Sequence, residues 1–220
     1  IEKEGIVAIS GSILSGIFSN VFQNENVFLE SVDGNLLIKT KKSQIKLKGQ
    51  PPDDFPTIPI VAGTSFEIES KKFIDGLKSV FYSSSVSDIK PEISSVFMYT
   101  NEDNLVFVST DSFRLAEKKV KVKGLPEIKG ILIPFKNIGE ILRVFGESPS
   151  IIKVCFNKNQ ISFSSDNIYL TSRVIDGVFP DYRQIIPKTL GTNAVLLKQD
   201  LLNALKLSNI FLDAGRDIIQ

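Results

Sequence analysis

The chain begins with a short apolar run at residues 6–9 and then changes period, with Leu14, Ile17, Phe18 and Val21 recurring at the spacing of one helix face. Two stretches of strand character follow, 27–30 and 36–48, flanking Asp33-Gly34-Asn35, a favoured hairpin connection. Pro51 and Pro52 end the pairing, and the segment closes on Asp54-Phe55-Pro56. The same order returns over 131–187. A strand at 131–134 precedes a helical stripe of Ile138, Ile141, Leu142 and Phe145, strands 151–156 and 161–174 flank Asn157-Lys158-Asn159, and Val178-Phe179-Pro180 closes the segment. Sliding Pro56 onto Pro180 sets Leu14 on Ile138, Ile17 on Ile141, Phe18 on Leu142 and Phe55 on Phe179.

A second self-match links the middle of the chain to its end. The strand 66–68 and the stripe Phe73, Ile74, Leu77 and Phe81 resemble the strand 194–196 with Leu201, Leu202 and Leu205, and Lys78 falls on Lys206. Together the matches imply a unit of about 125 residues, built from two half-units of strand, helix and further strands. On this reading residues 1–60 are the second half of one domain, 64–187 a complete domain and 192–220 the start of a third. The alternative is two α+β segments that share common periodicities by chance.

Composition narrows the function. With 42% hydrophobic residues in 220, a sizeable core is expected, and no apolar run is long enough for a bilayer or arranged as a leader. Cys155 is the only cysteine, so no intrachain disulfide forms, and a cytoplasmic location is the expectation. The absence of histidine removes the Ser-His-Asp triad and the imidazole ligand, and neither a phosphate-cradling GxxxxGK[ST] loop nor a GxGxxG turn is present. Binding becomes the leading class, with no cofactor or metal expected. A formal charge of +1 is too small for a protein that holds nucleic acid mainly by counterion release, so any DNA contact is local or topological.

Two motifs go further. Ser109-Thr110-Asp111-Ser112-Phe113-Arg114-Leu115-Ala116, followed downstream by Val174-Ile175-Asp176-Gly177-Val178-Phe179-Pro180-Asp181-Tyr182-Arg183-Gln184-Ile185-Ile186-Pro187, resembles the paired signature of the bacterial sliding clamp, the beta subunit of DNA polymerase III. Pro51-Pro52-Asp53-Asp54-Phe55-Pro56 is similar to the end of that family's first domain. The resemblance implies an α+β DNA clamp (processivity fold) of repeated domains, with antiparallel sheets outside and helices on the inner face. It also implies a head-to-tail homodimeric ring around double-stranded DNA that tethers the DNA polymerase III catalytic subunit and the clamp loader through linear motifs, without catalysis and without a membrane. The family's first half-domain and most of its third domain are missing from this sequence, so closure of a ring by these residues alone is not expected. Phe113 stands where many clamps carry histidine.

In such a ring the helix faces opposite the apolar stripes would look toward DNA. Lys71 and Lys78 share one such face, Lys136 and Arg143 repeat the seven-residue spacing, Lys206 repeats Lys78, and the first unit places Ser12 and Ser19 there. A solvated helix face is the competing account. The resemblance also implies a peptide site at Lys90, Ile93, Thr110, Ser112, Phe113, Arg114, Leu115, Pro180, Gln184 and Ile185, with the apolar members enclosing a partner's leucine or phenylalanine and Arg114 and Lys90 positioning its polar flank. Packing of two strands and a turn is the competing account there, and the family's third-domain wall would lie beyond Gln220. Ile45, Ile210 and Phe211 resemble subunit contact positions. The lysines at 39, 41, 42, 46 and 48 alternate with Ile45 and Leu47 and read as a solvated sheet face. A DNA-processing enzyme and a protein-only scaffold remain as rivals. Metal-dependent turnover of labelled DNA tests the first, and retention on circular against linear DNA the second.

Overall fold

The computed structural model describes residues 4–20, 26–87, 89–146, 150–189 and 191–212. Helix α1 (Gly11–Ser19) is followed by β1 (Phe28–Val32), β2 (Asn35–Lys39) and β3 (Gln44–Leu47), which pair in that order as an antiparallel sheet. Asp33 and Gly34 join β1 to β2 with φ of 51° and 74°, the left-handed pair whose twist matches the flanking strands. Leu36 and Ile38 are buried on β2, whereas α1 buries none of its residues.

A two-sheet body follows: β4 (Thr64–Glu69), α2 (Ser70–Lys78), β5 (Ser95–Asn101), β6 (Asn104–Thr110), β7 (Leu115–Lys121), β8 (Ile131–Pro134), α3 (Phe135–Phe145), β9 (Ile151–Phe156), β10 (Gln160–Ser165) and β11 (Ile168–Arg173). Its antiparallel sheets run β11-β10-β9-β4 and β7-β6-β5-β8. Each half-unit therefore lends its leading strand to the other half's sheet. The last element is α4 (Lys198–Leu212).

The apolar stripes of α2 (Phe73, Ile74, Leu77) and α3 (Ile138, Ile141, Phe145) join Met98, Leu105, Phe107, Ile152, Val154, Ile161 and Phe163 in one core. Burying side chains of this size contributes roughly 1.5–3 kcal/mol each. Phe73 meets Phe107 edge to face at 5.5 Å, and Gly76 lets α2 lie flush on β6, since a Cβ there would stand 2.4 Å from the Phe107 ring. Tyr99, Val106, Val108 and Leu132, on the other face of sheet β7-β6-β5-β8, are covered by Phe179 and Tyr182. Consequently β6 is buried on both faces and shows no alternation from Leu105 to Thr110.

Four expectations about strands need correction. Residues 6–9 form only an isolated bridge, Ala8 with Gln50, and residues 194–196 are exposed and outside any strand. Both are leading strands, which in the body find partners only across the half-unit boundary. No equivalent partner is among the described residues. The stretch 36–48 is broken into β2 and β3 at 40–43, where Thr40 Oγ1 accepts the Ser43 backbone N–H at 3.0 Å. The stretch 161–174 is likewise divided, at Asp166 with φ 48°. Val21, counted in the α1 stripe, lies outside the described residues. Among the described residues no helix is long and apolar enough to cross a membrane.

Candidate functional site

The β6–β7 connection is a rigid turn organised by Asp111. Its Oδ1 accepts the backbone N–H groups of Phe113 and Arg114 at 3.0 and 2.9 Å, and its Oδ2 accepts Arg114 Nε at 2.9 Å. Thr110 Oγ1 accepts the Ser112 N–H at 3.1 Å and donates to the Arg114 carbonyl at 2.8 Å. These bonds hold Ser112 at φ 77°, a left-handed conformation that costs a non-glycine residue about 1 kcal/mol or more. The backbone N–H of Arg114, then that of Phe113, keeps the Asp111 carboxyl below its ordinary value of 3.8. At the tip the Phe113 side chain is 98% exposed.

The segment after β11 is fastened to the same sheet, on β8, β5 and β7. The backbone N–H of Ile175 donates to the Leu132 carbonyl at 2.9 Å, and Phe179 stacks on Phe97 with ring centroids 4.9 Å apart and planes within 4°. Tyr182 donates its hydroxyl proton to the Glu117 carboxylate, two residues past Leu115 on β7, and its oxygen lies 2.8 Å from Tyr99 Oη. Arg183 Nη2 donates to Tyr99 Oη at 2.8 Å, with its guanidinium carbon 5.2 Å from the ring centre. Burial first, and the bond to Glu117 second, push the Tyr182 phenol far above its ordinary value, so it remains a neutral donor.

The two motifs are thus brought together on the outer face of one sheet. Phe113, Arg114, Ser112, Pro180, Gln184 and Ile185 are exposed, and Gln184 Nε2 donates to Asp181 Oδ2 at 2.7 Å. Leu115 is half-buried against the Tyr99 cluster, and Thr110 is buried. Ile93 is buried as well. The β5–β6 register, Phe97 opposite Val108, brings the start of β5 to the Thr110 end of the sheet, with Ile93 just before it. Lys90 is exposed, and its carbonyl accepts the N–H groups of Ile93 and Ser94 at 3.1 Å. Phe113 and Ile185 are apolar side chains left exposed, as is Pro180. A cleft of about 600 Å³ lies elsewhere, lined by Glu67, Glu69, Lys72, Lys121 and Lys123 with Ile151 on the β4 and β7 side, and contains none of these residues.

On the opposite layer α2 and α3 pack together, and Ser70 Oγ donates to the Phe145 carbonyl at 2.8 Å. Both turn their stripes to one core, so their other faces share a side of the body, where Lys71, Lys78, Lys136 and Arg143 are exposed. Ser12 and Ser19 are exposed on α1, where Ser12 shares a hydrogen bond with Ser10 and Ser19 donates to the Gly16 carbonyl. Lys206 is exposed on α4. Ile45 is half-buried opposite Ile38, while the side chains of Ile210 and Phe211 lie outside the described residues. Sequence reasoning quoted Tyr182 and Arg183 within a motif without giving them a role, and it missed Tyr99 and Glu117. The only available signal was a tyrosine and a carboxylate among strand residues, Tyr99 and Glu117, with Tyr182 in a 3-10 turn downstream.

Comparison with known proteins follows the same lines. A family model described as the central domain of the DNA polymerase III beta subunit matches residues 67–181. A beta sliding clamp of Synechococcus elongatus is 25% identical over 225 residues, covering 100% of this chain and 60% of that protein. One from Streptococcus pneumoniae is 28% identical over 215 residues, covering 95% and 57%. The chain therefore spans about 60% or less of the length of these curated relatives. Among solved structures, the DNA polymerase sliding clamp of Bacillus subtilis matches with a TM-score of 0.87 at 23% identity, over 99% of this chain and 58% of that one. The beta subunit from Thermotoga maritima matches with a TM-score of 0.81 at 23% identity, over 94% and 56%.

Proposed function

Since the chain belongs to the DNA polymerase III beta subunit family, we propose that it is part of a sliding clamp, a non-catalytic collar that encircles duplex DNA and tethers the replicative polymerase and other partners. In this reading residues 64–187 are the complete middle domain, 1–60 the second half of the domain before it and 192–220 the beginning of the one after it. Two copies of the whole protein close head to tail in the cytoplasm. The cationic faces of α2 and α3 meet the phosphate backbone without reading bases, as a sliding contact requires. Phe113, Pro180 and Ile185 receive an apolar anchor from linear motifs of the polymerase catalytic subunit and the clamp loader, beside Arg114.

The observation that supports this reading is the bond from Tyr182 to Glu117, which ties the segment that follows Pro180 to the strand that follows the Phe113 turn. The test is a fluorescence titration with a short peptide from the polymerase catalytic subunit carrying a leucine or phenylalanine anchor. Arg114→Ala and Pro180→Ala should each weaken binding by about tenfold, equivalent to about 1.4 kcal/mol. Undiminished affinity in both variants would remove this surface from the site.

A further inference from the structure

Each helix of the two-sheet body carries a carboxylate between two cations of the same face, in identical register: Lys71, Asp75 and Lys78 on α2, and Lys136, Glu140 and Arg143 on α3. Steps of four and then three residues keep each triplet on one helix face. All six residues are exposed. On α3 the contact is direct, since Glu140 Oε2 accepts Arg143 Nε at 2.9 Å and Nη2 at 2.6 Å. The matching triplets on the flanking helices contain no carboxylate. They are Ser12, Gly16 and Ser19 on α1, and Gln199, Asn203 and Lys206 on α4, where Gln199 Nε2 donates to Asn203 Oδ1 at 3.0 Å.

Helix stability gives little reason for the carboxylates. Exposed pairs at this spacing add only slightly to a helix, and α2 and α3 are already anchored by fully buried stripes. We propose that Asp75 and Glu140 limit how tightly these helices grip duplex DNA, by competing with phosphates for the cations on either side. The inference rests on the reading of this face as the one that meets DNA. A guanidinium already bonded to a carboxylate exchanges one anion for another when a phosphate arrives, so its contribution to counterion release is small. Asp75 stands one turn from both Lys71 and Lys78, well inside the screening length of about 8 Å at physiological salt. The face then touches the backbone without being held by it.

The experiment measures binding of the purified protein to a short blunt-ended duplex across a salt series, which requires no ring closure. Wild type is compared with Glu140→Gln, Asp75→Asn, the double variant, and Lys136→Gln/Arg143→Gln as reference. The double variant should bind about tenfold more tightly at low salt and steepen the plot of log K against log salt by about one to two. Unchanged affinity and slope in the carboxylate variants, with weaker binding in the reference variant, would overturn the inference and leave the face in contact with DNA. If neither set alters binding, the assignment of the face fails and the inference fails with it. Equal thermal midpoints confirm that the variants fold alike.

Discussion

Phe55 and Phe179 hold the same place in two copies of one pattern, yet the first is 63% exposed and the second 8%. Their helices differ in the same sense, since α1 buries no residue and α3 buries Ile138, Ile141 and Phe145. Local structure is not the cause, because β1, β2 and β3 pair in the same order as β9, β10 and β11. What differs is the neighbour. Phe179 lies on Phe97 of β5, and α3 packs against α2 and β5, both contributed by the other half-unit. Secondary structure is encoded within a half-unit, whereas burial is a property of the pair.

Paired substitutions put the largest strain on this contrast. Phe179→Ala should lower the unfolding free energy by about 3–5 kcal/mol, as expected for a buried phenylalanine, while Phe55→Ala should stay within about 0.5 kcal/mol. Urea denaturation of both decides, and comparable losses would mean that Phe55 is covered in solution. A smaller effect tests what fastens Phe179 in place. Tyr182→Phe removes the hydroxyl bonded to Glu117 and Tyr99 and should cost about 1–2 kcal/mol. Because folding raises the Tyr182 phenol, its contribution is complete below the ordinary tyrosine value of 10.0 and is lost as pH rises above it. Thermal melts of Tyr182→Phe should therefore decline less steeply above that pH than wild type, and parallel declines would exclude the link.

The smallest effect is local to the exposed turn. Folding lowers the Asp111 carboxyl, so the order it imposes is present above 3.8 and is lost as pH falls through the lower folded value. Amide NMR signals of Phe113 and Arg114 should move toward random-coil positions in that acid range, and Asp111→Asn should abolish the transition. Signals that stay in place would show that the turn stands without its carboxylate.

Much of this arrangement was legible before the structure. The helix stripes, the Asp33-Gly34 turn and the two Phe-Pro closures are short-range patterns that form where their period indicates, except that Phe81, read into the α2 stripe, falls beyond the helix in a 3-10 turn at Phe81–Ser83. The break at 40–43 had a local signal that went unread: Thr40-Lys41-Lys42-Ser43 carries no apolar residue and sets two lysines side by side, and alternation resumes only at Ile45. The leading strands at 6–9 and 194–196 were misread for a different reason: alternation shows that a segment suits a sheet and says nothing about where its partner is. Within the site, the Asp111 turn follows from adjacent residues. The bond from Tyr182 to Glu117 spans the body and has no local signature.

The exchange of leading strands also governs how the body comes apart. With β4 hydrogen-bonded to β9 and β8 to β5, neither half can melt while the other stays intact, because losing one removes an outer strand from the survivor. Unfolding should be all-or-none across residues 64–187. Refolding must close long chain loops before either sheet is complete, which makes it slow for a protein of this size.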